Sequence, residues 1–174
     1  MVKDYVLNLE VVLPNGEIMW TGANVLKNAT GYNLTQLIVG SEGTLCIVTK
    51  IVLKLLPYPK YDLLMLVPFN SLEKAGAAVS AIFRAGFVPS ALELIEINAL
   101  QIVSKMVDSS VVPVTDTIEG HLIIEVDGNN MDVLMQEVEA IAELLVEFDA
   151  GDILFADDAQ QKAELWKLRR RVAE

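Results

Sequence analysis

Pro57-Tyr58-Pro59 constrains this chain more than any other feature. Neither proline can donate to a strand ladder, and each biases the residue before it away from helix. No central strand or continuous helix passes through such a triplet. The chain therefore reads as two parts, residues 1–58 and 59–174, and the apolar rhythm changes across the break.

The first part has strand rhythm. Val6 to Leu13 and Ile18 to Thr21 flank Pro14-Asn15-Gly16, and Asn-Gly is a strong tight-turn signal, so a hairpin is predicted. Residues 23–33 are irregular. Asn33 can cap a short helix running through Val39, which Gly40 ends. After a turn at Ser41-Glu42-Gly43 a long strand is expected from Thr44 to Leu56. Its Leu45, Ile47, Ile51, Leu53 and Leu55 would share one face, with Lys50 and Lys54 on the other.

The second part alternates. Leu63 to Val67 reads as a strand. Asn70, with Glu73 three residues on, is placed to cap a helix with a stripe of Leu72, Ala75, Val79, Ile82 and Phe83, ending at Gly86. Ser90 to Glu96 is a strand, Asn98 to Met106 a short helix, and 108–118 a polar loop. His121 to Val126 is a strand ending at Asp127-Gly128. Leu134, Val138, Ile141 and Leu145 fall at helical spacing within 131–148. A strand from Asp152 to Phe155 and a last helix capped by Asp157 or Asp158 complete the order. That order, β-α-β-(α)-β-α-β, is that of a split β-α-β, ferredoxin-like domain, so the fold class expected is α+β.

Composition removes several functions. The net charge of −11 argues against nucleic acid, which demands clustered cations; the one basic run is Lys167 to Arg171. Cys46 is the only cysteine and His121 the only histidine. That rules out an internal disulfide and cysteine-based or multi-histidine metal sites, and speaks against a histidine-dependent triad. His121 reads as a structural or strand-end residue. Asp132, Glu137, Glu139, Glu143 and Glu147 read as a solvated helix face. Apolar stretches such as Leu63 to Phe69 are far shorter than the roughly 20 residues of a membrane span, and the first residues hold no signal-peptide core. A cytoplasmic protein is expected. With 53% hydrophobic residues, part of the surface is expected to be covered by other protein, a second copy or a partner subunit.

Two segments bear on chemistry. Gly31, Gly40 and Gly43, interspersed with hydroxyl side chains, can expose backbone N–H groups and admit a ligand close to the main chain. The spacing fits neither G-x-G-x-x-G nor G-K-[ST], and a tight turn without a ligand is the plainer reading. In the last helix Trp166, Arg169 and Ala173 share a face. By spacing alone, Arg169 is a charge on a solvated face.

The runs Gly31-Tyr32-Asn33-Leu34-Thr35-Gln36-Leu37, Gly40-Ser41-Glu42-Gly43-Thr44-Leu45 and Ile47-Val48-Thr49 resemble the FAD-binding signature of vanillyl-alcohol-oxidase-type flavoproteins. The branch most resembled is that of the glycolate oxidase flavin subunit and D-lactate dehydrogenase. Val11 to Glu17, Thr21-Gly22, Ala91-Leu92-Glu93-Leu94 and Glu125-Val126-Asp127-Gly128 extend the likeness over nearly the whole chain. The resemblance implies FAD, with Gly40, Ser41, Glu42, Gly43, Thr44, Leu45, Cys46, Ile47 and Val48 as its neighbours, mostly through backbone atoms. Cys46 stands where the family usually has glycine; a free cysteine is more often a small buried hydrophobe than a reactive thiol.

Leu165-Trp166-Lys167-Leu168-Arg169 is similar to the family's Trp-x-x-Arg element, whose arginine binds the substrate carboxylate near the flavin. A guanidinium suits a planar anion. Ala173 stands where some relatives have threonine. The resemblance also implies longer proteins, with a pyrophosphate-binding loop before this region and histidines and acids after it. The expectation is therefore a piece of an FAD-dependent oxidoreductase. It would comprise a partial FAD-binding domain (1–58) and a partial substrate-binding, or cap, domain (59–174), acting on a small D-2-hydroxy acid with an unknown electron acceptor. No catalytic or metal-ligating residue is assigned. The competing expectation is a non-catalytic module that completes a partner through exposed apolar surface.

Overall fold

The computed structural model describes residues 2–104, 117–156 and 158–172. It divides into two compact units, Met1–Tyr58 and Pro59–Glu174.

In the first unit a short 3-10 turn, Val2–Asp4, leads into β1 (Val6–Val12), β2 (Ile18–Trp20), α1 (Leu34–Ile38) and β3 (Ile47–Leu53). The three strands form an antiparallel sheet in the order β2-β1-β3. Gly16, at φ 87°, closes the hairpin in a conformation that favours glycine. The Asn33 side chain accepts from the Gln36 N–H and caps α1, as its position before the helix predicts. Leu9, Val11 and Cys46 are the buried apolar core, with Val6, Leu13, Met19, Ile38 and Val39 packed against it. Beside them lies a satisfied polar cluster. Buried Asn8 accepts from Leu9 and Gly22 and donates to Asn24, while the Thr21 and Thr35 hydroxyls bond each other at 2.8 Å.

β3 departs from expectation. It is shorter than Thr44–Leu56, and its apolar residues do not share one face. Val11 pairs with Val48 and Glu10 with Lys50, so Thr49 is an extra residue, a bulge. Cross-strand partners lie on the same face of a sheet. The bulge therefore brings Val48 and Ile51, opposite Val11 and Leu9, to one side; unbroken alternation would have put them on opposite sides. The Thr49 hydroxyl bonds the Glu10 carbonyl and carboxylate, and Lys50 adds an ion pair to Glu10 at 2.8 Å. Lys50 first and Thr49 second hold the Glu10 carboxyl below its usual range.

The second unit runs β4 (Tyr61–Phe69), α2 (Leu72–Arg84), β5 (Ala91–Glu96), α3 (Ile97–Ser104), β6 (Gly120–Gly128), α4 (Met131–Val146), β7 (Leu154–Ala156) and α5 (Ala159–Val172). The sheet order is β5-β6-β4-β7, all neighbours antiparallel, which is the split β-α-β arrangement and an α+β fold. One face packs Met65, Val67, Leu122, Ile124 and Val126 against Ala75, Ala78 and Ile82 of α2 and Leu134, Val138, Ile141 and Leu145 of α4. The other packs Leu64, Leu66, Ile95, Ile123 and Ala156 against Leu100 and Val103 of α3 and Leu165 and Leu168 of α5.

Several boundaries move. Ser71, not Asn70, caps α2 and accepts from Lys74 N–H, because β4 continues to Phe69 and Asn70 lies between the two elements. Phe83 is exposed, and Ala78 and Ala81 take the buried side in its place. β7 begins at Leu154, and α4 ends at Val146. Asp158 caps α5 through Gln161 N–H; the alternative Asp157 lies outside the described residues, as do 105–106 of the third predicted helix and 108–116 of the predicted loop. His121 is wholly buried in β6 between Pro68 and Ile95, a sheet-interior position.

Candidate functional site

The turn between α1 and β3 borders a groove of about 440 Å³, open on one side and mostly apolar. Gly40, Ser41, Glu42, Gly43, Cys46, Ile47 and Val48 line it together, with Val6 and Leu9 of β1, Ile38 and Val39 of α1, and Ile51 of β3. Thr44 and Leu45 turn instead into an adjoining hollow with Val12, Leu13 and Pro14. The Thr44 hydroxyl is spent within the turn, donating to the Ser41 carbonyl at 2.6 Å.

Gly40 (φ 88°), Glu42 (φ 50°) and Gly43 (φ 78°) are all left-handed, which turns the chain sharply and bares its backbone at the groove. A side chain at Gly40 or Gly43 would meet no atom within 4 Å, so space is open beside both. Cys46 is 6% exposed and belongs to the core beneath the groove. The walls contributed by Val6, Leu9 and Ile51 were missed from sequence, because they depend on the pairing of β1 and β3 and on the Thr49 bulge. Apolar walls beside a left-handed turn suit an apolar or aromatic ligand face.

A second, polar constellation lies in the other unit. α5 crosses the sheet, and three of its side chains meet carboxylates on three successive strands. Lys162 pairs with Asp62 of β4 at 2.6 Å. The Trp166 indole lies near the Glu125 carboxylate of β6 and favours its charged form. Arg169 Nη2 donates to Glu93 Oε1 of β5 at 2.9 Å. Residues 162, 166 and 169 are spaced by about one helical turn, some 4.5–6 Å of rise, close to the roughly 4.8 Å between strands. Burial pushes the Glu125 carboxyl up, the charges of Asp62 and Asp127 push it further, and the bonds from Trp166 and Ser90 offset part of this. Arg169 is thus half-exposed and paired with a carboxylate of the sheet. Ala173, assigned to the same helix face, lies outside the described residues. Among the described residues no group of three or more His, Cys, Asp or Glu is arranged to hold a metal ion, and no helix is long and apolar enough to cross a membrane.

Comparison with known proteins places the chain in a flavin-linked oxidoreductase class. The family model "FAD linked oxidases, C-terminal domain" matches residues 58–174, and the chain belongs to that family, whose cofactor is FAD. It is 36% identical to a D-lactate dehydrogenase of Anaerostipes hadrus over 99% of this chain and 37% of the relative. It is 35% identical to the glycolate oxidase subunit GlcD of Bacillus subtilis over 97% of this chain and 34% of the relative. The chain thus spans about a third of the length of the curated relatives it matches. Among solved structures, p-cresol methylhydroxylase with substrate bound superposes with a TM-score of 0.69 at 17% identity, over 97% of this chain and 37% of that one, a likeness of fold.

Proposed function

We propose that this chain is part of an FAD-dependent oxidoreductase that oxidises a small D-2-hydroxy acid of the lactate or glycolate kind. In this reading residues 1–58 are the later portion of an FAD-binding domain and 59–174 a portion of the substrate-binding domain. The observation that carries it is the groove into which Gly40, Ser41, Glu42, Gly43, Cys46, Ile47 and Val48 converge beside left-handed glycines. Bound FAD would supply the hydride-accepting chemistry. The protein's own groups orient: bared backbone at residues 40–43 meets polar edges of the cofactor, Val48 and Ile51 offer a flat apolar contact, and Thr44 and Leu45 shape the turn. The Arg169 guanidinium holds the substrate carboxylate by paired hydrogen bonds. The names of the two relatives, both of enzymes acting on short hydroxy acids, support this substrate class. A cytoplasmic setting and an unidentified electron acceptor belong to the same reading. On its own the chain would bind FAD weakly and be inactive.

The test is steady-state kinetics with D-lactate and glycolate on the longest polypeptide containing this chain, loaded with FAD. Arg169→Ala is expected to lower kcat/KM by about tenfold to a hundredfold, the loss of a charge-assisted contact of about 1.5–3 kcal/mol. Arg169→Lys should also be impaired, since an ammonium cannot reproduce the fork. Full FAD content with unchanged kcat/KM for every acid in Arg169→Ala would refute the assignment.

A second reading has its own observation: Ile47, Ile51 and Leu53 stand exposed on an edge strand. In it the chain is a non-catalytic module that docks on a partner through this surface. The same polypeptide purified colourless, and failing to take up added FAD, would favour it.

A further inference from the structure

Arg169 carries five N–H donors, and the one bond it makes to Glu93 engages Nη2 alone. Arg169 and Glu93 side chains are 38% and 36% exposed, so a small anion can reach the pair. A half-exposed ion pair adds little to stability, so the fold does not depend on it. Its effect is on freedom: an arginine loses much rotamer entropy when fixed, and Glu93 fixes this one before any ligand arrives. The other carboxylates under α5 are already engaged, Glu125 by Trp166 and Asp62 by Lys162. Glu93 stands on β5 opposite buried Ile123 of β6, and its Oε1 meets Arg169 Nη2 at 2.9 Å.

We infer that Glu93 is the positioning residue of Arg169, anchoring one edge of the guanidinium so that the rest stays aimed at the substrate carboxylate. The inference rests on the substrate-clamping reading of Arg169 given above. Anchoring a binding group in advance lowers the entropy cost of capture, which shows in affinity for the anion and little in the chemical step. Reach matters more than charge here. A glutamine keeps an acceptor oxygen at the same distance, whereas an aspartate keeps the charge on a side chain one methylene shorter.

The experiment compares Glu93→Ala, Glu93→Gln and Glu93→Asp with Arg169→Ala in the longest FAD-loaded polypeptide containing this chain. KM and kcat for D-lactate are read beside the calorimetric Kd of oxamate, a non-reacting monocarboxylate. Glu93→Ala and Glu93→Asp are expected to raise KM and the oxamate Kd about five- to twentyfold with kcat within about twofold, one tenfold step being about 1.4 kcal/mol. Glu93→Gln should recover most of the loss. Wild-type KM and Kd in Glu93→Ala, with Arg169→Ala impaired, would overturn the inference and leave the substrate reading standing. Rescue by Asp and failure of Gln would also overturn it, showing a field effect of charge. If Arg169→Ala is itself unimpaired, the substrate reading falls and this inference with it. If Glu93→Ala sheds FAD, the comparison of Gln with Asp at equal FAD occupancy decides the matter.

Discussion

The Lys162 ammonium bonds Asp62 twice, to the carboxylate at 2.6 Å and to the main-chain carbonyl at 2.7 Å, so one helical side chain grips both the backbone and the side chain of β4. The lysine side chain is 23% exposed, which shields the pair in part from solvent. This grip lies at the start of α5, a helix also held to the sheet by Leu165, Leu168, Trp166 and Arg169.

Lys162→Ala should therefore destabilise the second unit modestly. A partly exposed ion pair contributes about 0.2–1 kcal/mol, and the carbonyl bond about as much again. A drop of about 2–4 °C in Tm per kcal/mol is expected for a chain of this size. Calorimetry checks it, and half-molar salt should shrink the difference. An unchanged Tm would show that the grip is incidental.

Glu125 gives a pH signature with a defined sign. Burial first, then the charges of Asp62 and Asp127, raises its folded pKa above the ordinary 4.5. A raised folded value means that stability from this group is present below the ordinary glutamate range and lost as pH rises through the folded pKa. At neutral pH the ionised carboxylate works against folding. Glu125→Gln keeps an acceptor for the Trp166 indole and removes the charge. Its Tm should exceed that of the parent at neutral pH, and the gap should close as pH falls below 4.5. A gap that widens towards acid would contradict this.

Two glycines should fail for opposite reasons. At Gly43 a methyl group meets open space, but φ is 78°, so Gly43→Ala costs backbone strain of about 1–2 kcal/mol. At Gly120 the Cβ would lie 3.0 Å from the Ile95 carbonyl and 2.6 Å from a Leu72 methyl, so Gly120→Ala costs about 1–3 kcal/mol of overpacking. Chemical denaturation of both, with Leu72→Ala added to the second, separates the cases. The double variant should recover part of the Gly120→Ala loss beyond what Leu72→Ala costs alone, and no equivalent repacking exists for Gly43.

Ile51 is 58% exposed on the edge strand β3, beside Ile47 at 68%. Exposed apolar edge strands invite association. The chain by itself should self-associate, and Ile51→Lys should reduce that in sedimentation velocity runs. A parent that remains monomeric at every loading concentration would remove the premise.

What could be read from the sequence follows the range of the interactions. Leu134, Val138, Ile141 and Leu145 recur at helical spacing, and all four are buried, because a helix face is decided within a few residues. The Asn33 cap is equally local. The α2 cap slips from Asn70 to Ser71 because both are polar, and only the tertiary pairing of β4 decides where the strand ends. The Thr49 bulge could not be seen, since a bulge is a property of two strands, and here the partner residue lies 39 positions away. The same holds at Arg169. Its family element is local, but Glu93 lies 76 residues away and Asp62 lies 100 residues from Lys162. Motifs mark candidate residues; their neighbours are set by the sheet.

The diagonal path of α5 works like a vernier. Helical turns advance about 5.4 Å while strands repeat about every 4.8 Å, two scales that nearly agree but do not coincide. Over three marks, Lys162, Trp166 and Arg169 each find a carboxylate in one alignment. A slide of one turn would bring each of them up against a different strand, and the mismatch would accumulate from one mark to the next. A one-turn slide would break all three pairings at once, that of the guanidinium at the far end among them.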